Sequence, residues 1–483
     1  MNFRKPAPVL VLALLAALAA LPAVTQSAPS AYRIDSVEYE IDGKTRESAL
    51  AERLDIKIGK EFPDLASLEA YVADRYQVLV NQRVLESAEL TYAVGESAGA
   101  PAPVTLTVRA KDTWNLVILP YPKYTTNDGL LLGLRIRDYN FLGFMETLFL
   151  DLDYRYDENK DQSFGVGVNF QLPFEVFDSD WSIATDQSFA YNFSGRVTYT
   201  GKNTLKLNLG GDTFRWTARV GQNFFWNEDG DLDDDLDKLV LQTLAGIGTE
   251  VDLADLGVLG PLTLTPDLEA GWKYLADGGT ISADRRGPYV TASWTLGTGR
   301  ADWAENFRKG TVLTLKNSWT YNFYQEGWDA TVLAQARHYE AWSNRAGLNS
   351  RVTLYASLLD VGEDIGEYIR GVPDVRMDGD YGVFVNLDLP VRLFDFKPSL
   401  LIKKDWFDFE VHAAPFADAA LVRASPSDPF EPYLCGGLEV FGFLKRARSV
   451  YARVSVGINA LGYLDTRSLS DNYELFFGLG HDY

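Results

Sequence analysis

The closing segment, Tyr473-Glu-Leu-Phe-Phe-Gly-Leu-Gly-His-Asp-Tyr483, constrains the fold more than any other stretch of the chain. Side chains alternate along an extended backbone, so Tyr473, Leu475, Phe477, Leu479 and the terminal Tyr483 share one face of a strand. A strand with that face exposed calls for an apolar solvent. The same period of two recurs upstream, most plainly in Thr147-Leu-Phe-Leu-Asp-Leu-Asp-Tyr-Arg-Tyr-Asp157. There Leu148, Leu150, Leu152, Tyr154 and Tyr156 face one way, and Asp151, Asp153, Arg155 and Asp157 the other. Residues advancing roughly 3.3 Å each at a tilt of about 45° let such a segment rise roughly 25 Å, the height of the apolar band of an outer-membrane barrel. A soluble sandwich would show the same alternation, with the apolar face buried. Repeats at Leu205, Leu207 and Leu209 and at Val454, Val456 and Ile458 extend the pattern.

The other end of the chain favours the membrane. Met1–Ala28 has a charged start (Arg4, Lys5), an apolar stretch from Val9 to Leu21 and small residues around Ala23 to Ala28, the layout of a cleaved export signal. Cleavage at Thr25, Ser27 or Ala28 fits equally. The apolar stretch is too short to span a bilayer as a helix, and no later run of about 18 uncharged apolar residues follows. Passage through a membrane must then use a closed sheet, in which every backbone polar group is paired. The single cysteine, Cys435, rules out an internal disulfide, and a net charge of −22 argues against nucleic-acid binding. An aromatic content of 13% with 40 glycines and only 3 histidines suits short strands with aromatic girdles and does not suit a metalloenzyme. At about 23 residues per strand with its connection, residues 111–483 predict an all-β transmembrane barrel of about 16 antiparallel strands.

Residues 31–110 read as a separate α+β module. A strand over 32–41 stops at Asp42-Gly43, and helical patterns run from Thr45 to Leu54 and from Asp64, a potential N-cap, to Val80. Two strands follow near 84–92 and 104–110.

These segments together resemble the outer-membrane assembly superfamily that includes BamA, TamA and the two-partner secretion transporters. The module is similar to a polypeptide-transport-associated (POTRA) domain through Gly43-x-Thr45, Leu54-x-x-x-x-Gly59 and Val104-Thr-Leu-Thr-Val108. Gly129–Gly143, ending Asn140-Phe-Leu-Gly143, resembles the second barrel strand. Ile369-Arg370-Gly371 is similar to the tip of the sixth extracellular loop, which folds back into the lumen, with Val372 where an aromatic is usual. Pro415-Phe-Ala-Asp418 resembles the strand whose Asp receives that arginine, and Gly480 stands where the family kinks its closing strand. The resemblance implies a signal peptide over 1–28, a periplasmic POTRA domain over 31–110 and a barrel over 111–483 in the bacterial outer membrane.

Two candidate sites follow. An arginine enclosed at a loop tip needs a carboxylate, so Arg370, Gly371 and Asp418 form a candidate lock. Asp388 is a second acceptor and Asn386 competes for that place; a solvent-exposed Arg370 is the simpler alternative. The other site is the seam between first and last strands. Pro120 and Pro122 lack the N–H a ladder needs, while Gly478 and Gly480 weaken the partner strand. That seam is a candidate lateral gate; alternatively, the prolines belong to a linker. Tyr473, Leu475, Phe477, Leu479 and Tyr483 constitute the assembly signal. Asn227–Asp237 looks like a calcium loop but lacks the EF-hand glycine and closing glutamate. His338, His412 and His481 are scattered, so neither catalysis nor a metal is expected. The resemblance implies insertion of barrel proteins or passage of polypeptides, with no cofactor. Partners would be outer-membrane lipids, unfolded barrel or secreted client polypeptides, and periplasmic accessory proteins at the module. A passive pore or surface-structural barrel is the competing expectation.

Overall fold

The computed structural model describes residues 31–95, 101–125, 129–156, 162–177, 179–210, 214–226, 239–277, 287–324, 326–358, 363–372, 377–403, 408–446, 451–469 and 472–480. The export-signal segment, the calcium-like segment and Tyr483 lie outside the described residues. In their described parts, two compact units are formed. One comprises Met1–Glu40, Asp55–Tyr76 and Glu89–Arg109, the other Ile41–Leu54, Gln77–Ala88 and Ala110–Tyr483.

The first elements are β1 (Tyr32–Asp42), α1 (Glu47–Leu54), β2 (Glu61–Phe62), α2 (Leu65–Asn81), β3 (Leu85–Val94) and β4 (Ala102–Asp112). The strands form one sheet in the order β2-β1-β4-β3. The helices begin where the periodicity places them. Asp64 caps α2, its Oδ1 accepting from the Ser67 N–H at 2.8 Å. The hydrogen bond from that N–H holds the Asp64 carboxyl below its ordinary value. Within the first unit Ile34, Phe62, Leu68, Val104 and Leu106 are buried. β2 is a short strand that the periodicity did not reveal, since two residues carry no period.

The remaining strands are β5 (Leu116–Thr125), β6 (Gly129–Asp138), β7 (Leu148–Tyr156), β8 (Gln162–Val176), β9 (Ser179–Asn192), β10 (Val197–Leu209), β11 (Phe214–Trp226), β12 (Leu239–Asp255), β13 (Pro261–Leu275), β14 (Tyr289–Ala304), β15 (Phe307–Asn322), β16 (Gly327–Ala341), β17 (Gly347–Ser357), β18 (Glu363–Asp364), β19 (Asp378–Gly379), β20 (Tyr381–Asp388), β21 (Val391–Phe396), β22 (Phe409–Arg423), β23 (Glu431–Leu444), β24 (Tyr451–Asn459) and β25 (Tyr473–Gly480). All but β18 and β19 close into one antiparallel barrel, with β25 beside β5. β20 and β21 both pair with β22 and act as one strand interrupted at Leu389-Pro390, so among the described residues the barrel has eighteen strands. That is two strands more than the count of about sixteen expected from average length. Several connections are two to four residues long, as at residues 193–196 and at Glu305-Asn306, so a strand and its connection together use fewer residues than the average assumed. Among the described residues no helix is long and apolar enough to cross a membrane.

Polarity across the wall is opposite to that of a water-soluble protein. On β22, Glu410, His412, Phe416 and Asp418 are buried, while Pro415, Ala417, Ala419 and Leu421 are exposed. β24 turns Val454, Val456 and Ile458 outward and Ser455, Gly457 and Asn459 inward. Leu148, Leu150 and Leu152 alternate with Asp151 and Asp153, and these two acids meet Arg135 and Arg137 of β6. Charges pair inside and aliphatic side chains face out, which minimises free energy only when the outer solvent is hydrocarbon.

Within the second unit, the residues quoted from the Asn140-Phe-Leu-Gly143 turn and from Gly43-x-Thr45 meet. Asn140, fully buried, donates from Nδ2 to Thr45 Oγ1 at 2.7 Å and to Asp112 Oδ2 at 3.2 Å, and its Oδ1 accepts from the Met145 N–H at 2.9 Å. The Thr45 hydroxyl donates to Asp112 Oδ1 at 2.6 Å. Gly143 has φ +83° and accepts from the Arg46 N–H at 2.8 Å, and a Cβ there would strike the Lys44 carbonyl. At the end of β14, Asn81 donates from Nδ2 to Asp302 Oδ1 and its Oδ1 accepts from the Trp303 N–H, both at 2.9 Å. Arg83 and Arg308 lie over the Trp303 ring, 4.2 and 4.4 Å from its centroid.

Candidate functional site

The rim where β5 begins and β25 ends is here called the near rim. Counting antiparallel strands from β5, the connection from β17 to β20 is the seventh on the far rim. The arginine loop is therefore the seventh and not the sixth, because one more hairpin precedes it than the family pattern implies. The short strands β18 and β19 pair with each other in this connection, and a single 3-10 turn, Gly366–Tyr368, delivers the tip.

Arg370 is 7% exposed at that tip. Its Nε and Nη2 donate to the two oxygens of Asp418 on β22 at 2.8 and 2.6 Å, a forked contact. The Arg370 backbone N–H donates to Asp418 Oδ2 at 3.0 Å as well. Nη1 donates to Asp388 Oδ1 on β20 at 2.6 Å and lies 3.4 Å from Glu439 Oε1 on β23. Glu439 also accepts from Nε and Nη2 of Arg453 on β24, at 3.1 and 2.6 Å. The guanidinium carbon stands 3.9 Å from the centroid of the Phe416 ring, which covers its face. Burial of three acids becomes tolerable because two arginines thread between them.

Asn386 does not take Arg370. Its Oδ1 accepts from Arg351 Nε at 2.8 Å and its Nδ2 donates to the Tyr368 carbonyl at 3.1 Å, so it steadies the approach to the tip. Val372, where an aromatic was expected, is buried in an apolar cluster with Tyr355, Ile365, Ile369, Met377 and Phe384. Gly371, at φ +86°, lies flat on β24. A Cβ on Gly457 would be 2.8 Å from the Gly371 Cα, so both positions exclude a side chain. The Gly371 N–H donates to Glu474 Oε2 on β25 at 2.8 Å. Phe416 was quoted only as part of its motif, and Glu439, Arg453, Gly457 and Glu474 were given no role in the sequence. The signal available was a charge or glycine interrupting an otherwise aliphatic strand.

The seam has its own geometry. The Tyr139 N–H donates to the Asn115 carbonyl at 3.0 Å, and the register continues Leu116 opposite Asp138. Hydrogen-bonded pairs alternate along an antiparallel ladder, so Asn115, Val117, Leu119 and Tyr121 bond to β6. Leu116, Ile118, Pro120 and Pro122 then direct their backbone groups toward β25, and two of those four have no N–H to offer. On the other side, the Asn459 N–H donates to the Asn472 carbonyl at 3.0 Å. By the same alternation Glu474, Phe476 and Gly478 bond to β24, and Tyr473, Leu475, Phe477 and Leu479 turn their backbone groups toward β5. Gly478 faces the lumen, and a Cβ there would lie 3.1 Å from Tyr121 Oη. Gly480 pairs with Tyr451 at the end of the ladder. Tyr473, Leu475 and Phe477 share the outward face.

No protein-family model matches the sequence, and no curated protein matches it. Among solved structures the chain is similar to CdiB from Escherichia coli, at 12% identity over 93% of this chain and 77% of that one, with a TM-score of 0.51. It is also similar to CdiB from Acinetobacter baumannii, at 11% identity over 93% and 73%, with a TM-score of 0.50. At these identities the likeness shows the fold: a closed antiparallel barrel of the architecture found in the two CdiB structures.

Proposed function

We propose that this chain is an outer-membrane barrel that inserts barrel proteins into the bacterial outer membrane, or passes polypeptides across it, through the seam between β5 and β25. The single observation that carries the reading is the direction of the two prolines. Both lack their N–H on the side that faces β25, so this junction is short of donors. Backbone acceptors of Tyr473, Leu475, Phe477 and Leu479 turned toward such a partner favour an incoming strand that can donate, which is pairing by β-augmentation. The apolar outer face and the CdiB-like fold support placement in the outer membrane. The order of elements over residues 32–112 supports a single POTRA domain on the periplasmic side, a docking place for clients or accessory proteins. Arg370 and its acids keep the seventh loop in the lumen, where it narrows the path. The driving free energy would be the client's own folding, with no cofactor.

The test is a cysteine pair bridging residues 116–122 to 473–479 in a Cys435→Ala background. Purified protein in liposomes should accelerate insertion of an unfolded barrel, and oxidation of the pair should abolish the acceleration, with reduction restoring it. Unchanged activity in the oxidised form removes the seam from the mechanism.

A further inference from the structure

We propose that Glu474 is a latch by which the lumenal loop holds the closing strand in place, so that seating of the loop and opening of the seam are one coupled event. The inference rests on the seam reading above and adds a control to it. Two successive amides at the loop tip reach carboxylates on two different strands. The Arg370 N–H donates to Asp418 on β22 at 3.0 Å, and the Gly371 N–H to Glu474 on β25 at 2.8 Å. Between these two anchors Gly371 approaches Gly457 of β24 so closely that neither residue has room for a side chain. Arg370 meanwhile is tied to β20 and β22 through Asp388 and Asp418. The loop therefore joins the interior strands to the last one.

Position on the strand makes this contact a control. The backbone of Glu474 bonds to β24, and its neighbours Tyr473 and Leu475 offer their backbone groups to β5. The Glu474 side chain points inward and gives the lumen a grip on the strand whose outer edge a client must take. Moving β25 away from β5 pulls the carboxylate off the Gly371 amide. Displacing the tip removes an anchor from β25. By linkage the two effects are equal in size, so a client that dislodges the loop loosens the seam and one that opens the seam loosens the loop.

Hydrogen exchange read by mass spectrometry on the full chain in lipid nanodiscs tests the coupling through peptides covering 363–372 and 473–480. Glu474→Ala should speed exchange in both peptides roughly ten-fold, as loss of one charge-assisted hydrogen bond implies. Glu474→Gln, which keeps a carbonyl acceptor, should fall between Ala and the parent. Asp418→Asn, which loosens the tip at its other anchor, should also speed exchange over 473–480, and the double variant should show less than the product of the two effects. Parent rates over 473–480 in either single variant, or multiplicative effects in the double, overturn the proposal. If Glu474→Ala does not assemble, the Glu474→Gln and Asp418→Asn cycle gives the same decision. The readout is exchange and not client insertion, so a seam that clients never use would leave this result standing while failing the cysteine-bridge test.

Discussion

Replacing Arg370 by alanine leaves three buried acids, Asp388, Asp418 and Glu439, without the arginine they share. The side chain makes three short charge-assisted hydrogen bonds, two to Asp418 and one to Asp388, at 2.8, 2.6 and 2.6 Å. Each such bond contributes about 1.5–3 kcal/mol, and desolvation of the arginine and the acids offsets much of the sum. What alanine adds is repulsion: Asp388, Asp418 and Glu439 would face one another with Arg453 still on Glu439. Removing one partner of a buried pair costs about 3–5 kcal/mol, and here the loss falls on seating of the loop. That is roughly a 10²- to 5 × 10³-fold rise in the open population of the tip. The assay is maleimide labelling of Val372→Cys in a Cys435→Ala background, since Val372 is buried beside the arginine when the tip is seated. Arg370→Ala should raise the labelling rate by that factor, and Arg370→Lys by less, because an ammonium keeps charge but cannot fork across Asp418. Combining Arg370→Ala with Asp418→Ala should return part of the loss. A labelling rate within threefold of the parent in Arg370→Ala would refute the reasoning.

Three further outcomes are expected. Ala419→Arg, on the outward face of β22, should destabilise the barrel by about 2–4 kcal/mol if the residue lies near the bilayer midplane, measured by reversible folding into lipid vesicles; a neutral effect would place that face in water. Asn140→Ala leaves the Thr45 hydroxyl, the Asp112 carboxylate and the Met145 N–H short of a partner, and should cost about 1–3 kcal/mol, read as faster amide exchange over 44–54 and 139–146. The Asp64 carboxyl is held below its ordinary value of 3.8 by the Ser67 N–H, so its contribution is present above that value and is lost as the pH falls through the depressed one. Exchange at the start of α2 should accelerate over that acid range in the parent, and Asp64→Asn should flatten the dependence.

Much of the architecture is legible along the chain because a strand's two faces meet two solvents. Alternation of Leu148, Leu150 and Leu152 with Asp151 and Asp153, and of Val454, Val456 and Ile458 with Ser455 and Gly457, records that difference residue by residue. Helical spacing behind Asp64 does the same for α2, and Arg370 announces a carboxylate because a guanidinium cannot be enclosed alone. Strand number is not local in this sense. It depends on how short the connections are, and a total divided by an average length misses one hairpin.

Partner choice lies further from the sequence still. Asp388 and Asn386 are both inward residues of one strand, and two residues of register decide that the first meets Arg370 and the second Arg351. Glu439 and Glu474 are distant from the loop in sequence and reach it only because β23 and β25 close around its tip. The prolines were visible as missing donors, but which neighbour loses them is set by ladder phase, fixed where Tyr139 meets Asn115. Face, period and turn chemistry are properties of a few adjacent residues, so the order of amino acids determines them alone. Register, closure and the meeting of charges across the lumen are properties of the whole ring of strands, and only the tertiary structure decides them.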